Sequence, residues 1–136
     1  LPSLYSESVD NIAVAVDTSG SVSQEEFTAF ITEIEGIREI LNPVTTTIID
    51  FDSQIKAIHK ISRDDDLRDI PFRGYGGTNL VPMMQEAIKL NPTVLIVFSD
   101  LYCNPITTYP NIPIIWVCIS NPKAKVNFGE LVHFEP

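Results

Sequence analysis

Residues 12–23, which read IAVAVDTSGSVS, decide the fold of this chain. The first five are apolar, a pattern typical of a strand that is buried on both faces of a parallel sheet. A long amphipathic pattern begins after Ser23 and predicts a helix. Asp17 therefore lies where a strand ends and shortly before a helix begins. In open α/β sheets, ligands bind at this end of the strands.

The polar residues after this strand are oxygen donors at alternate positions, Asp17, Ser19 and Ser21. Alternate spacing in an extended loop turns the three side chains toward one point. Gly20 lets the backbone turn tightly between the two serines. Carboxylate and hydroxyl oxygens suit Mg²⁺, Mn²⁺ or Ca²⁺ and suit zinc poorly. The stretch therefore predicts a site for a hard divalent cation.

Two helices are predicted from start signals and apolar periodicity. Ser23 and Glu26 form a capping box at the start of the first helix, and Asn42 before Pro43 ends it. Its apolar face is predicted to comprise Phe27, Phe30, Ile31, Ile34, Ile37 and Leu41. The second helix is expected to follow Asn79, with Leu80, Met84, Ala87 and Ile88 on its apolar side.

The remaining segments indicate further strands. Residues 45–51 are β-branched, and residues 55–61 are expected to pair with them as an antiparallel edge strand. Residues 93–99 and 112–119 are apolar and predict two more strands, and a last strand is expected near residues 126–128 or 131–133. The order predicts an α/β fold of three layers. Its sheet is Rossmann-like and mostly parallel, with one antiparallel edge strand and helices on both faces.

Length and composition limit the classes of function. The 136 residues fit a single domain over 1–136, and 44% apolar content is enough for a buried core. The net charge of −9 argues against nucleic-acid or anionic-membrane partners, which need clustered Lys and Arg. Two cysteines, Cys103 and Cys118, are too few for a disulfide framework, and Cys118 is expected to be a buried thiol. We therefore expect a cytoplasmic protein.

Two later motifs resemble companions of the first. Gly77 and Thr78 lie in a glycine-rich loop before the second helix, and Asp100 follows the strand at 93–99. Together with Asp17-x-Ser19-x-Ser21, they resemble the metal-ion-dependent adhesion site (MIDAS) of von Willebrand factor A (VWA) domains. The order of motifs matches that family over nearly the whole chain, so the resemblance implies a VWA-type fold.

The resemblance also implies roles for the site residues. Ser19, Ser21 and Thr78 would bind the ion directly, and Asp17 and Asp100 would act largely through bound water. Mg²⁺, or Mn²⁺ or Ca²⁺, would be the cofactor, and one position would stay open for a carboxylate of a protein partner. The surrounding rim would comprise Gly20, Gly77, Asn79, Tyr75 and Tyr102, with Arg73 as a further contact. The domain would bind partners without catalysing a reaction.

A narrower resemblance concerns the C-terminal VWA-like domain of predicted bacterial and phage metallopeptidases of unknown function. It includes the run Leu1 to Leu4 and the Asp17 motif. It implies that this chain is the C-terminal fragment of a longer protein with a peptidase region upstream. The chain has no His-Glu-x-x-His pattern, and its histidines are His59 and His133. Asn79 departs from the acidic residue that this family tends to have after the threonine.

Two alternatives remain open at this point. The segment Ile48–Ser53 resembles the strand-Asp-x-Asp motif of haloacid-dehalogenase-type phosphohydrolases, with Asp50 as nucleophile and Asp52 as acid/base in a Mg²⁺-dependent reaction. The other alternative is a regulatory domain whose metal site has lost its function. The sequence favours the cation-dependent binding domain over both, because the five oxygen donors occur without a nearby nucleophile or base.

Overall fold

The computed structural model describes residues 9–72 and 76–134. Tyr75, Arg73 and the run from Leu1 to Leu4 lie outside the described residues. The secondary structure follows the order β1, α1, β2, β3, a short 3₁₀ helix, α2, β4, β5 and β6. The helices are α1 (Gln24–Leu41) and α2 (Leu80–Leu90), and the 3₁₀ helix is Leu67–Asp69. The strands are β1 (Asn11–Asp17), β2 (Thr45–Phe51), β3 (Ile55–Ser62), β4 (Val94–Ser99), β5 (Ile114–Ile119) and β6 (Glu130–Phe134).

The six strands form one mixed sheet in the order β3-β2-β1-β4-β5-β6. Neighbouring strands are parallel except for the antiparallel pair β2–β3. The predicted α/β fold with one antiparallel edge strand is therefore confirmed. β1 is buried along almost its whole length, as expected for a central parallel strand with both faces covered.

Each face of the sheet is covered by one helix. Phe30 and Ile34 of α1 are buried against one face, and Met83 and Ala87 of α2 against the other. The capping box at Ser23 forms as predicted, and α1 ends in a left-handed Asn42. The prediction that Ile88 lies on the apolar side of α2 is wrong, because 44% of this residue is exposed. Met83 is buried there instead. Neither helix is long and apolar enough to cross a membrane, as judged from the described residues.

The C-terminal part of the sheet differs from the prediction in two details. β5 starts at Ile114 rather than at residue 112. Pro113 has no N–H for a sheet hydrogen bond, although its carbonyl accepts one from Leu95 N at 2.9 Å. The last strand forms at Glu130–Phe134, so the second of the two expected places is correct.

The strand order reverses between β1 and β4. From β1 the chain moves through α1 to β2 and β3, and after α2 it returns to the other side of β1. This arrangement leaves a crevice at the carboxyl ends of β1 and β4, the position where open α/β sheets bind ligands. The two strands deliver Asp17 and Ser99 to this crevice.

We predict opposite effects for alanine at two glycines. Gly129 has φ +79°, and an added Cβ would lie 2.9 Å from the carbonyl oxygen of Ile114. Gly129→Ala should therefore lower the free energy of unfolding by about 2 kcal/mol. Gly36→Ala is the matched control in α1, where an added Cβ meets no atom within 4 Å. It should raise the free energy of unfolding by about 0.5–1 kcal/mol. Urea denaturation of both variants measures these free energies. An unchanged free energy of unfolding in Gly129→Ala would contradict the prediction.

Candidate metal centre

Asp17 lies at the centre of the candidate site, and its carboxylate has no solvent exposure. Its Oδ2 accepts a hydrogen bond of 2.6 Å from Ser99 Oγ at the end of the neighbouring β4. Its Oδ1 accepts one of 2.8 Å from Ser19 N. The first bond joins the ends of β1 and β4, and the second fixes the start of the loop that carries the serines. Asp17 is therefore held rigidly in the crevice.

The environment raises the pKa of Asp17 above its ordinary value of 3.8. Burial is the largest cause, because desolvation disfavours the charged form. Hydrogen bonds from Ser19 and Ser99 oppose this effect, and the nearby carboxylate of Asp100 adds to it. Asp17 and Asp100 are thus close enough to repel one another, and a bound cation would relieve both the repulsion and the desolvation.

The two serines of the loop are brought together. Ser19 Oγ and Ser21 Oγ are joined by a hydrogen bond of 3.0 Å, with Ser19 buried and Ser21 exposed. Two oxygens that occupy adjacent corners of a Mg²⁺ octahedron with bonds of about 2.1 Å are also separated by about 3.0 Å. The spacing of the two hydroxyls therefore fits two neighbouring ligand positions around such an ion.

The loop with Thr78 is attached to this serine loop. Gly20 N donates a 3.0 Å hydrogen bond to the carbonyl oxygen of Gly76. Thr78 is half-buried, and Asn79 caps α2 by accepting a 3.0 Å hydrogen bond from Val81 N. The caps of Ser23 and Asn79 thus set the starts of the two helices on either side of the crevice.

Asp100 follows β4 and is almost completely buried, with 2% exposure. Its Oδ1 accepts a 3.2 Å hydrogen bond from Tyr102 N, and its backbone oxygen accepts one of 2.9 Å from Asn121 Nδ2. The Tyr102 side chain is largely exposed, and its hydroxyl donates to the backbone oxygen of Ser120 at 3.1 Å. Tyr102 is therefore exposed close to Asp100 in sequence, whereas Tyr75 lies outside the described residues.

The two cysteines are free thiols. Burial, together with the nearby carboxylates of Asp17 and Asp100, raises the pKa of Cys103 to about 12. Burial and Asp100 raise the pKa of Cys118 to about 11. Both thiols therefore stay protonated at neutral pH, so neither is an activated nucleophile or a thiolate metal ligand.

The carboxylates of β2 do not favour the phosphohydrolase alternative. Asp50 and Asp52 are both fully buried. Asp50 accepts a 2.6 Å hydrogen bond from Thr18 Oγ1, and Asp52 accepts hydrogen bonds from Gln54 N and Gly76 N. A nucleophile must reach its substrate, but these carboxylates are occupied by contacts that join the loops. The phosphohydrolase alternative is therefore not favoured.

Sequence reasoning misses two residues that support the candidate site. Ser99 has no role in the predicted site, yet it donates directly to Asp17. Val16 of β1 pairs with Phe98 of β4, so the next residues, Asp17 and Ser99, are neighbours. This contact can be inferred from the sequence only when β1 and β4 are known to be adjacent. Asp52 is the acid/base of the phosphohydrolase alternative in the sequence analysis, and its contact with Gly76, 24 residues away, leaves no local signal in the sequence.

The donor set determines which metal the site fits. Among the described residues, no group of three or more His, Cys, Asp or Glu side chains is arranged to hold a metal ion. The candidate donors are instead two carboxylates, Asp17 and Asp100, and the hydroxyls of Ser19, Ser21 and Thr78. Such neutral and anionic oxygens fit Mg²⁺, Mn²⁺ or Ca²⁺ rather than a soft metal.

Comparisons with known proteins agree with this architecture. Residues 12–135 match the family described as VWA-like domain (DUF2201). The chain is also 31% identical over 101 residues to an uncharacterized protein of Thermotoga maritima. That alignment covers 74% of this chain and 25% of the relative, so it spans about a quarter of the relative's length.

We predict that Asp17→Asn does not destabilise the metal-free protein at neutral pH. Because the folded-state pKa of Asp17 is raised, its contribution to stability is complete below pH 3.8 and is lost as pH rises through the folded-state pKa. Asparagine does not ionise, so the free energy of unfolding of the variant should not fall in this way as pH rises. Urea denaturation in a chelator between pH 4 and pH 7 measures it, with Asp64→Asn in an exposed turn as control. A variant that loses stability relative to wild type as pH rises would contradict the prediction.

Proposed function

Because the chain belongs to the family of VWA-like domains (DUF2201), we propose that it is a divalent-cation-dependent protein-binding or regulatory domain without catalytic activity of its own. The observation that carries this proposal is the spacing of the Ser19 and Ser21 hydroxyls, 3.0 Å apart beside the buried Asp17. Two neutral oxygens at ligand spacing beside a buried carboxylate suit a small hard cation.

The proposed MIDAS-type ligand set divides into two groups. Ser19, Ser21 and Thr78 bind the ion through their hydroxyls. Asp17 and Asp100 act through water, a division supported by the two hydrogen bonds that already occupy both oxygens of Asp17. Mg²⁺ keeps several waters in most protein sites, which agrees with carboxylates that contact the ion through a bound water.

The charge of the site explains why it would bind a partner. Two carboxylates roughly balance the +2 of the ion, but the direct ligands are neutral hydroxyls. The ion therefore stays a strong attractor for another anion at its open position. We propose that a carboxylate of a protein partner occupies this position, with the exposed Tyr102 at the rim. The net charge of −9 further favours recognition through the metal, since bare acidic surfaces repel one another.

A non-catalytic role is supported by the state of the groups around the crevice. The Cys103 thiol has a pKa of about 12, and the carboxylate of Asp17 is held by two hydrogen bonds. Neither is poised as a nucleophile or as a mobile general base. We also propose that the domain belongs to a longer metallopeptidase-like protein. The alignment covers 25% of the matched relative, so the rest of that protein is long enough to contain such a region.

We predict that the protein binds Mg²⁺ or Mn²⁺ and that Asp17→Ala and Ser21→Ala weaken this binding at least about tenfold, or about 1.4 kcal/mol. Ser21→Ala removes an exposed hydroxyl, so the fold should survive it. Isothermal titration calorimetry measures the affinities, and thermal unfolding in a chelator checks the fold. Thr32→Ala removes an exposed hydroxyl from α1 and is the control. Equal affinities in all variants would refute the site, and no binding at millimolar concentrations would refute the function.

A further inference from the structure

We propose that Asp52 is a positioning residue for the cation site, which it serves by holding the segment Gly76–Asn79 so that Thr78 faces the ion. This inference rests on the proposed function and extends it to a residue outside the ligand set. Asp52 itself makes no contact with the ion in this proposal. Its role would be to fix the backbone on both sides of one ligand.

Asp52 binds both ends of the loop segment that carries Thr78. Its Oδ2 accepts a 2.9 Å hydrogen bond from Gly76 N, two residues before Thr78. Its backbone oxygen accepts one of 2.9 Å from Asn79 N, directly after Thr78. Its Oδ1 accepts a 3.1 Å hydrogen bond from Gln54 N, which fixes the carboxylate itself. A single buried residue at the end of β2 thus anchors the loop before and after its proposed ligand.

Gly76 extends this connection to the serine loop. Its carbonyl oxygen accepts a 3.0 Å hydrogen bond from Gly20 N, between Ser19 and Ser21. The contact between Gly76 and Asp52 is also too close for a side chain. A Cβ at Gly76 would lie 2.7 Å from Asp52 Oδ2 and 3.1 Å from Asp52 Cγ. The glycine therefore permits a close approach, and this one residue connects Asp52 to the serine loop through its N–H and its carbonyl oxygen.

The charge of Asp52 strengthens these contacts. Burial raises its pKa, but the hydrogen bonds from Gln54 and Gly76 and the ammonium of Lys56, 3.6 Å away, outweigh this and lower the pKa overall. The carboxylate is therefore ionised at neutral pH. Hydrogen bonds to an ionised acceptor are stronger than those between neutral groups. Residues that orient metal ligands commonly affect metal affinity about 10- to 100-fold when they are mutated.

A double-mutant cycle separates positioning from general stabilisation. We expect Asp52→Ala and Thr78→Ala each to weaken Mn²⁺ binding about tenfold. If Asp52 acts through Thr78, the double variant should bind about as well as Thr78→Ala alone. Calorimetry with Mn²⁺ measures the four affinities. Asp66→Ala removes an exposed carboxylate from the N-cap of the 3₁₀ helix and is the control for side-chain loss.

The glycine offers a second arm of the same test. Gly76→Ala should weaken Mn²⁺ binding in the wild-type background because its Cβ would displace the Asp52 carboxylate. Beyond the two atoms of the Asp52 carboxyl group, the next nearest atom to that Cβ is Ser53 Oγ at 3.6 Å, which is an ordinary contact. Gly76→Ala should therefore cost little further affinity in the Asp52→Ala background. Gly36→Ala, in the open part of α1, is the matched control for the added methyl group.

Amide hydrogen exchange tests the positioning without any metal. In a chelator, Asp52→Ala should speed exchange at Gly76 N about tenfold or more while the amides of β1 stay protected. Asp52→Asn keeps one acceptor oxygen and should lie between wild type and Asp52→Ala. If wild type binds no Mn²⁺, both the proposed function and this inference fail. If wild type binds it but the cycle is additive, or if Gly76 exchange is unchanged, only the positioning role of Asp52 is overturned.

Discussion

The hydrogen bond from Ser99 to Asp17 is the interaction on which the candidate site depends. It joins the ends of β1 and β4 at 2.6 Å, where the strand order of the sheet reverses. Burying a carboxylate costs several kcal/mol unless polar partners compensate for lost water. Ser99 and Ser19 supply two such partners, yet the pKa of Asp17 remains raised. The fold thus keeps a carboxylate whose charged form is disfavoured by burial at a place where a cation would stabilise it.

The surrounding scaffold explains how the fold tolerates this charge. Both faces of the sheet are covered, by Phe30 and Ile34 of α1 on one side and Met83 and Ala87 of α2 on the other. Burial of side chains as large as Phe30, Ile34 and Met83 contributes about 1.5–3 kcal/mol each, so the core offsets a costly polar site at its edge. Residues that oppose stability at a site are expected where function requires them.

The sequence predicted the elements well because their signals are local. Apolar runs and the capping box at Ser23 depend on neighbours a few residues away, and they placed β1 and α1 correctly. The errors occur where a single residue or a distant contact determines the end of an element or the burial of a side chain. Pro113 delays the start of β5, and Ile88 faces solvent although it fits the helical period. The five proposed ligands remain a prediction from motifs, whereas the contact from Asp52 to Gly76 depends on tertiary structure alone.

The way the two ligand loops are joined has a consequence for affinity. Gly20 N binds the carbonyl oxygen of Gly76, and Gly76 N binds Asp52, so backbone groups rather than long side chains connect the loops. Backbone links of this kind leave few rotamers to be ordered, which would lower the entropic cost of binding the proposed ion. A site built from short hydroxyl side chains needs such preorganisation, because each neutral oxygen attracts a cation weakly. Asp52, at the end of β2, is therefore part of the proposed cation site although it is not one of the proposed ligands.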